Sequence, residues 1–283
     1  MSYGRILLLC ASVAVVVGTF LALSLPAPYW WLVPVALLLA YQGLIVWGVL
    51  NLRLNMFARC IYQVSGQPNK IALTFDDGPD PISTPLVLQA LRNSNAKATF
   101  FVIGKKVERY PELIRQIAEE GHDLAVHSYG HELTYAFLSP AFVARDIARC
   151  RGLVEQCGVS CSNFFRPPVG QASPRTALGI QRAHVRYIGW SVRGGDGVRR
   201  RTSEQCLTRV TRGLRGGAII LLHDAWQAGS LEDDAAAIEA RAAGNVLEHC
   251  PAGVGALPAL LQLLDRQNYR SVTLTELLDQ PSS

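Results

Sequence analysis

Two adjacent carboxylates close a short apolar run in "KIALTFDDGPDP", residues 70 to 81. Ile71 to Phe75 reads as a buried strand. Neighbouring strand residues point to opposite faces, so Asp76 and Asp77 can serve one site only if the chain leaves the strand between or just after them. Gly78-Pro79 supplies such an exit. In "HSYGH", His127 and His131 stand four residues apart, a spacing that lets two imidazoles face one ion. Two imidazoles and one carboxylate make a facial set that leaves room for water, suited to Zn²⁺ or another divalent transition ion. Asp77 or Asp76 is the natural third ligand. The remaining carboxylate then stands beside the metal-bound water, where it can take a proton.

Such groups need elements that end in one place. Short apolar, β-branched runs at 71–75, 98–103, 123–126, 163–165, 186–192, 218–223 and 270–273 predict seven strands alternating with helical patterns. This is an α/β fold, read as a (β/α) barrel that is incomplete or distorted, with a doubly wound sheet as the alternative. Thr84-Pro85, Ser139-Pro140 and Ser173-Pro174 each put a capping hydroxyl before a proline at the first helical position. Gly121 and Gly216 read as helix stops. In barrels of this kind the chemistry sits at the carboxyl ends of the strands. Asp76 and Asp77 follow the first strand, His127 and His131 the third, Arg166 the fourth, and His223 and Asp224 the sixth.

The charges are unevenly spread. The chain has 283 residues with 27 basic and 22 acidic side chains, a mild +5. Arg199-Arg200-Arg201 lacks the interleaved aromatics of a nucleic-acid surface and reads as a solvated face. Residues 1 to 50 hold Arg5 and no other Lys, Arg, Asp or Glu. Residues 6–25 and 29–50 are each long enough to cross a bilayer as a helix, and Pro26-Ala27-Pro28 is the turn of a transmembrane hairpin. Arg5, Arg53 and Arg59 flank it and the turn is uncharged, so the positive-inside rule puts both ends on the cytoplasmic side of the cell (inner) membrane, with the periplasmic or external face as the alternative. The expected organisation is a multi-pass membrane anchor over 1–56 and a catalytic domain over 57–283. Seven cysteines, an odd number, point to the same side. Cys150, Cys157 and Cys161 match no zinc pattern, and Cys206 falls on an amphipathic helix, so all are read as inert.

"TFDDGP", "HSYGH", "FFRPP" and "ILLHD", in this order, resemble the motifs of the polysaccharide deacetylase family, the NodB-homology or carbohydrate esterase family 4 domain, over about residues 69 to 278. The resemblance implies a distorted (β/α)7-8 barrel and a divalent metal. It implies hydrolysis of an N-acetyl group from an amino sugar of a glycan or lipid-linked saccharide. It makes Asp76 the base and Asp77 a metal ligand with His127 and His131. Arg166 then holds the base, His223 is the general acid, and the backbone N–H of Val169 serves the oxyanion.

Two positions depart from the family. Val169 replaces an aromatic residue of the sugar-binding wall. "GWSVRGGDG" keeps Trp190 and Asp196 but has Gly197 where a Trp is usual and Arg193 where an acid often sits. What tunes His223 is therefore expected elsewhere, and Arg193 faces either solvent or a substrate phosphate or carboxylate. Leu221 lines the acyl-methyl pocket or packs in the core. His122, His184 and His249 are left outside the site. A deformylase of a lipid-linked amino sugar and a cyclic-imide hydrolase are the enzymatic alternatives. A carbohydrate-binding relative without turnover is disfavoured because every reacting group is present.

Overall fold

The strand Lys70–Asp76 runs through the middle of a nine-stranded sheet, and both of its faces are covered. The computed structural model describes residues 2–25, 30–226, 239, 244 and 246–279. Its strands are β1 (Cys60–Ile61), β2 (Lys70–Asp76), β3 (Ala98–Val102), β4 (Asp123–Val126), β5 (Phe164–Phe165), β6 (Arg186–Ile188), β7 (Val192–Arg193), β8 (Ile219–His223) and β9 (Arg270–Ser271). The order is β1-β6-β5-β4-β3-β2-β8-β7, with β9 beside β2, and these strands pair in parallel.

The single strand expected at 186–192 is two. Gly189 N–H donates to Ile61 O on one side, and Ser191 N–H donates to Ile219 O on the other. One segment thus serves both edges of the sheet and draws them into a distorted barrel. The added strand β1 is only two residues long, too short to show as a pattern in sequence.

Side-chain alternation along β2 builds two cores. Ile71, Leu73 and Phe75 face outward and pack with Val87, Leu88 and Leu91 and with Leu257 and Leu260 of the helix Ala252–Arg266. Ala72 faces inward with Phe101, Ala125, Ile188 and Ile219, and the helix Leu274–Leu278 plugs the amino end of the barrel with Leu274 and Leu277. Each of the Val, Leu, Ile and Phe side chains among these contributes roughly 1.5–3 kcal/mol on burial. The outer helices are α3 (Ser83–Asn93), α4 (Gly104–Arg109), α5 (Pro111–Glu119), α6 (Pro140–Gln156), α7 (Pro174–Arg182) and α8 (Ser203–Gly213). Ser139 and Ser173 cap α6 and α7 as expected, accepting from Phe142 N–H and Thr176 N–H.

The start of α3 is corrected. Asp80 Oδ1 accepts from Ile82 N–H and Ser83 N–H, while Thr84 lies inside the helix and donates to Asp224 Oδ2 at 2.6 Å. Gly121 turns left-handed beyond α5, but after α8 that turn falls on Gly217 and not on Gly216.

Ahead of the barrel lie α1 (Tyr3–Ala22) and α2 (Leu32–Leu50), both long and apolar enough to cross a bilayer and mostly exposed. Their ends lie at 22 and 32, where the sequence suggests 25 and 29, and the Pro26-Ala27-Pro28 turn is outside the described residues. The two helices touch through Ser12 Oγ and Tyr41 OH, 3.2 Å apart, a polar contact between apolar helices. The exit from α2 is tied to the barrel seam by Arg53 Nη2, which donates to Ser191 O at 2.6 Å. All seven cysteines are free, and burial pushes the Cys161 and Cys206 thiols up to about 12, where they stay protonated.

Candidate active site

The doublet reaches one site because its two members have different backbones. Strand β2 ends at Asp76, whose side chain points into the barrel with those of Ala72 and Thr74. Asp77 then takes a left-handed conformation, φ 75°, which brings the second carboxylate to the same mouth. The turn is confined to glycine at the next position, since a Cβ on Gly78 would stand 2.2 Å from Asp224 Oδ2. Lys106 Nζ clamps it by donating to Asp77 O and Trp226 O, both at 2.8 Å. Ser128, His131 and Val169 also have positive φ, so backbone strain is concentrated around the site.

His127 leaves the end of β4 and His131 follows in the next turn. His127 Nδ1 lies 2.7 Å from Arg166 O, an acceptor, so Nδ1 carries the hydrogen and Nε2 is free to face the cleft. Asp77 Oδ1 is 3.3 Å from His127 Nε2 and 3.3 Å from His131 Nε2. It is fully buried, with no hydrogen bond of good geometry among the described residues. Burial by itself would raise the Asp77 pKa, but the neighbouring histidines draw it well below the usual carboxylate range. Burial and the charge of His127 lower His131 to about 4. An ionised carboxylate, a neutral imidazole and ligand atoms within 4.8 Å of one another, around an orphaned buried oxygen, fit a divalent cation.

Arg166, fully buried after β5, organises the other aspartate. Its Nη1 donates to Asp76 Oδ1 at 2.6 Å and to Thr74 Oγ1 at 2.9 Å, and Nη2 donates to Gly189 O at 2.9 Å. Its guanidinium lies over the Phe101 ring, 4.1 Å from the centroid. This leaves Asp76 Oδ2 turned to the cleft, 3.8 Å from His127 Nε2.

His223 ends β8 and is held twice by one residue. Asp196 Oδ2 accepts from His223 N–H at 2.8 Å, and Asp196 Oδ1 lies 3.1 Å from His223 Nδ1. The tuning expected from elsewhere thus comes from Asp196. Burial would lower the His223 pKa, but Asp196, with Asp77 and Asp76, raises it to about 9. A Cβ on Gly197 would stand 3.1 Å from the His223 ring, close enough to crowd it.

Asp76, Asp77, His127, His131, His223, Val169, Trp190 and Leu221 line one cleft of 290 Å³, with Arg166 and Asp196 behind it. Val169 stands on the rim, 55% exposed, while Leu221 is 7% exposed. His122 is outside, buried against Phe100, with Nδ1 accepting from Ala98 N–H.

Asp224 was collected among the strand-end groups from sequence but given no role, and three further residues were not singled out for the site. Lys106 stands in α4, the helix that follows β3. Arg201 and Arg209 also line the cleft, and the half-buried Arg201 departs from the solvated face expected of its triple.

Known proteins share this arrangement of chain. The profile of the family described as Polysaccharide deacetylase matches residues 63–188. A peptidoglycan-N-acetylglucosamine deacetylase of Bacillus cereus is 33% identical over 223 residues, 77% of this chain and 92% of that one. A chitooligosaccharide deacetylase of Bradyrhizobium sp. is 35% identical over 167 residues, 59% of this chain and 75% of the relative. Among solved structures, a family 4 acetyl xylan esterase from Clostridium thermocellum, in complex with a cobalt ion, superimposes with a TM-score of 0.61 at 31% identity, over 74% of this chain and 90% of that one. The chain is therefore a hydrolase belonging to the polysaccharide deacetylase family, with a barrel of the NodB-homology type.

Proposed function

We propose that the chain removes an N-acetyl, or another small N-acyl, group from an amino sugar of a polysaccharide or lipid-linked saccharide, using a divalent metal, by preference zinc. The observation that carries this reading is the division of labour in the doublet. Asp77 Oδ1 sits between two imidazole nitrogens, while Asp76 is held by Arg166 with one oxygen facing the cleft. Asp77, His127 and His131 would hold the cation. What it supplies when bound is polarisation of the acyl oxygen and a water whose pKa falls toward about 7.

The remaining steps belong to side chains and backbone. Asp76 takes a proton from the attacking water, and the hydrogen bond from Arg166 keeps its carboxylate aimed. The N–H of Val169 is the donor assigned to the developing oxyanion. His223, steadied by Asp196, protonates the departing amine, which is a poor leaving group without that proton. Trp190 and Leu221 form the wall toward the sugar and the acyl methyl.

Val169 favours a second reading, removal of a formyl group, because its small, exposed side chain gives the rim no aromatic surface at that position and leaves Trp190 as the aromatic wall. The full chain, loaded with Zn²⁺ in detergent, should release acetate or formate from at least one of a panel of N-acetyl and N-formyl sugars, free and lipid-linked. Silence across the panel would leave carbohydrate binding without turnover in its place.

The same reading makes residues 1–56 a two-helix anchor in the cell membrane and residues 57–283 the catalytic domain on its cytoplasmic side. It is supported by the apolar helices and by the flanking Arg5, Arg53 and Arg59.

A further inference from the structure

The outer wall of the cleft is basic. Arg193 on β7, Arg209 on α8 and Arg201 just before α8 all line it. Two of the guanidinium groups converge on Gly195, where a Cβ would stand 3.1 Å from Arg201 Nε and 3.2 Å from Arg209 Nε. Arg201 Nε donates to Gly195 O at 2.7 Å. Among the described residues, no carboxylate lies within ion-pair distance of Arg193, Arg201, Arg209 or Arg212. Like charges this close repel, and an anion accepting from several of them would offset that cost.

The basic wall continues toward the apolar helices. Trp190, Arg193 and Arg209 also line a second cavity, of 710 Å³, whose other walls include Arg212 and, from the end of α2 and just after it, Trp47, Leu50 and Arg53. Among the described residues that line it, none is acidic. Leu50 and Trp47 are both exposed. With α2 read as a membrane span, its terminal turn lies where tryptophans gather and lipid phosphates stand. An arginine-lined path thus joins the carboxylate doublet to the level of the phosphates.

We propose that this path is a phosphate subsite, and that the substrate is an N-acylated amino sugar linked through phosphate to a membrane lipid. Arg193, Arg201 and Arg209 bind the phosphate, the sugar enters the cleft, and the lipid chain descends beside Trp47 and Leu50. Guanidinium forks suit phosphate, whose oxygens can accept from more than one arginine at once. Water adds to the acyl carbon and the C–N bond breaks, giving a carboxylate and a sugar amine, while the phosphate ester stays intact. The inference rests on the reading of the cleft as an amide-hydrolysing site.

The test uses the full chain in lipid nanodiscs with Zn²⁺ and four N-acetylglucosamine substrates. These are a polyprenyl phosphate conjugate, a polyprenyl glycoside lacking phosphate, the uridine diphosphate sugar and chitotetraose. The polyprenyl phosphate conjugate should exceed each of the others in kcat/KM by at least tenfold. Arg193→Gln/Arg209→Gln should lower kcat/KM on that conjugate, relative to the neutral glycoside, at least tenfold and mainly through KM. Both residues are exposed, and melting curves check that the double variant folds.

Equal turnover of the two polyprenyl substrates, with no response to the arginine substitutions, would overturn the subsite. Equal turnover of the uridine diphosphate sugar would overturn the lipid. Binding of polyprenyl phosphate vesicles to the metal-free protein is measured alongside. If no substrate is hydrolysed, the amide-hydrolase reading fails. Vesicle binding that the double variant loses would then still support the subsite, and binding it retains would overturn it.

Discussion

Arg166 and Asp76, 90 residues apart in the chain, meet inside the barrel at 2.6 Å with neither side chain more than 4% exposed. Because the guanidinium also satisfies Gly189 O, removing it would strand a buried carboxylate and a backbone carbonyl, while Thr74 Oγ1 keeps its hydrogen bond to Ile220 O. Arg166→Gln should therefore destabilise the protein by about 3–5 kcal/mol. Arg166→Gln/Asp76→Asn should recover part of that loss, since it removes the unpaired charge. Denaturant titration of the four proteins of this cycle measures both. A strictly additive double variant would show that the pair is not coupled.

His127→Ala and His131→Ala should each weaken metal binding sharply, by 10-fold or more on the scale of changes around metal sites. Both imidazoles stand 3.3 Å from the same oxygen of Asp77, and either deletion leaves an incomplete set. Elemental analysis after dialysis checks this. A full equivalent of metal in both variants would put the site elsewhere.

Much of this site could be read from sequence because it lies at strand ends. The run into Asp76-Asp77 and the spacing of His127 and His131 mark groups that a parallel barrel must bring to one mouth. Asp77's left-handed backbone was not legible, since aspartate carries no fixed conformational signal, and only Gly78-Pro79 hinted at a turn. The break at Gly189–Trp190–Ser191 was hidden because both halves of 186–193 are apolar enough to pass as one strand. It arises from closing the barrel, which is a tertiary demand. The convergence of Arg201 and Arg209 on Gly195 likewise has no local signature, because it depends on how α8 packs against the end of β7.

Asp224 should set a pH dependence of stability. It is fully buried, with Oδ2 accepting from Thr84 and Oδ1 unpartnered among the described residues. Burial raises its pKa from 3.8 to about 7. The folded state then holds this proton more tightly than the unfolded chain. The contribution is complete below about pH 4, shrinks as pH rises, and is lost above about pH 7, with a slope of up to about 1.4 kcal/mol per pH unit. Asp224→Asn stays neutral, so its stability relative to the parent should rise between pH 4.5 and 8. Parallel melting-temperature profiles for the two proteins would contradict this.

The proposed topology rests on the flanking Arg5, Arg53 and Arg59. A reporter that is active only in the cytoplasm should work when fused after residue 283. Activity of a reporter confined to the outer side would reverse the orientation and move the substrate outside the cell.

The most direct measurement compares Asp76→Asn with Asp77→Asn for metal content and single-turnover hydrolysis of one accepted N-acyl sugar. Asp76→Asn should retain a full equivalent of metal while the hydrolytic rate falls by about 10²–10⁴-fold, the usual effect of losing a general base. Asp77→Asn should lose the metal. Hydrolysis by Asp76→Asn at the parent rate, or equal metal loss in both variants, would contradict the division of labour assigned to the doublet.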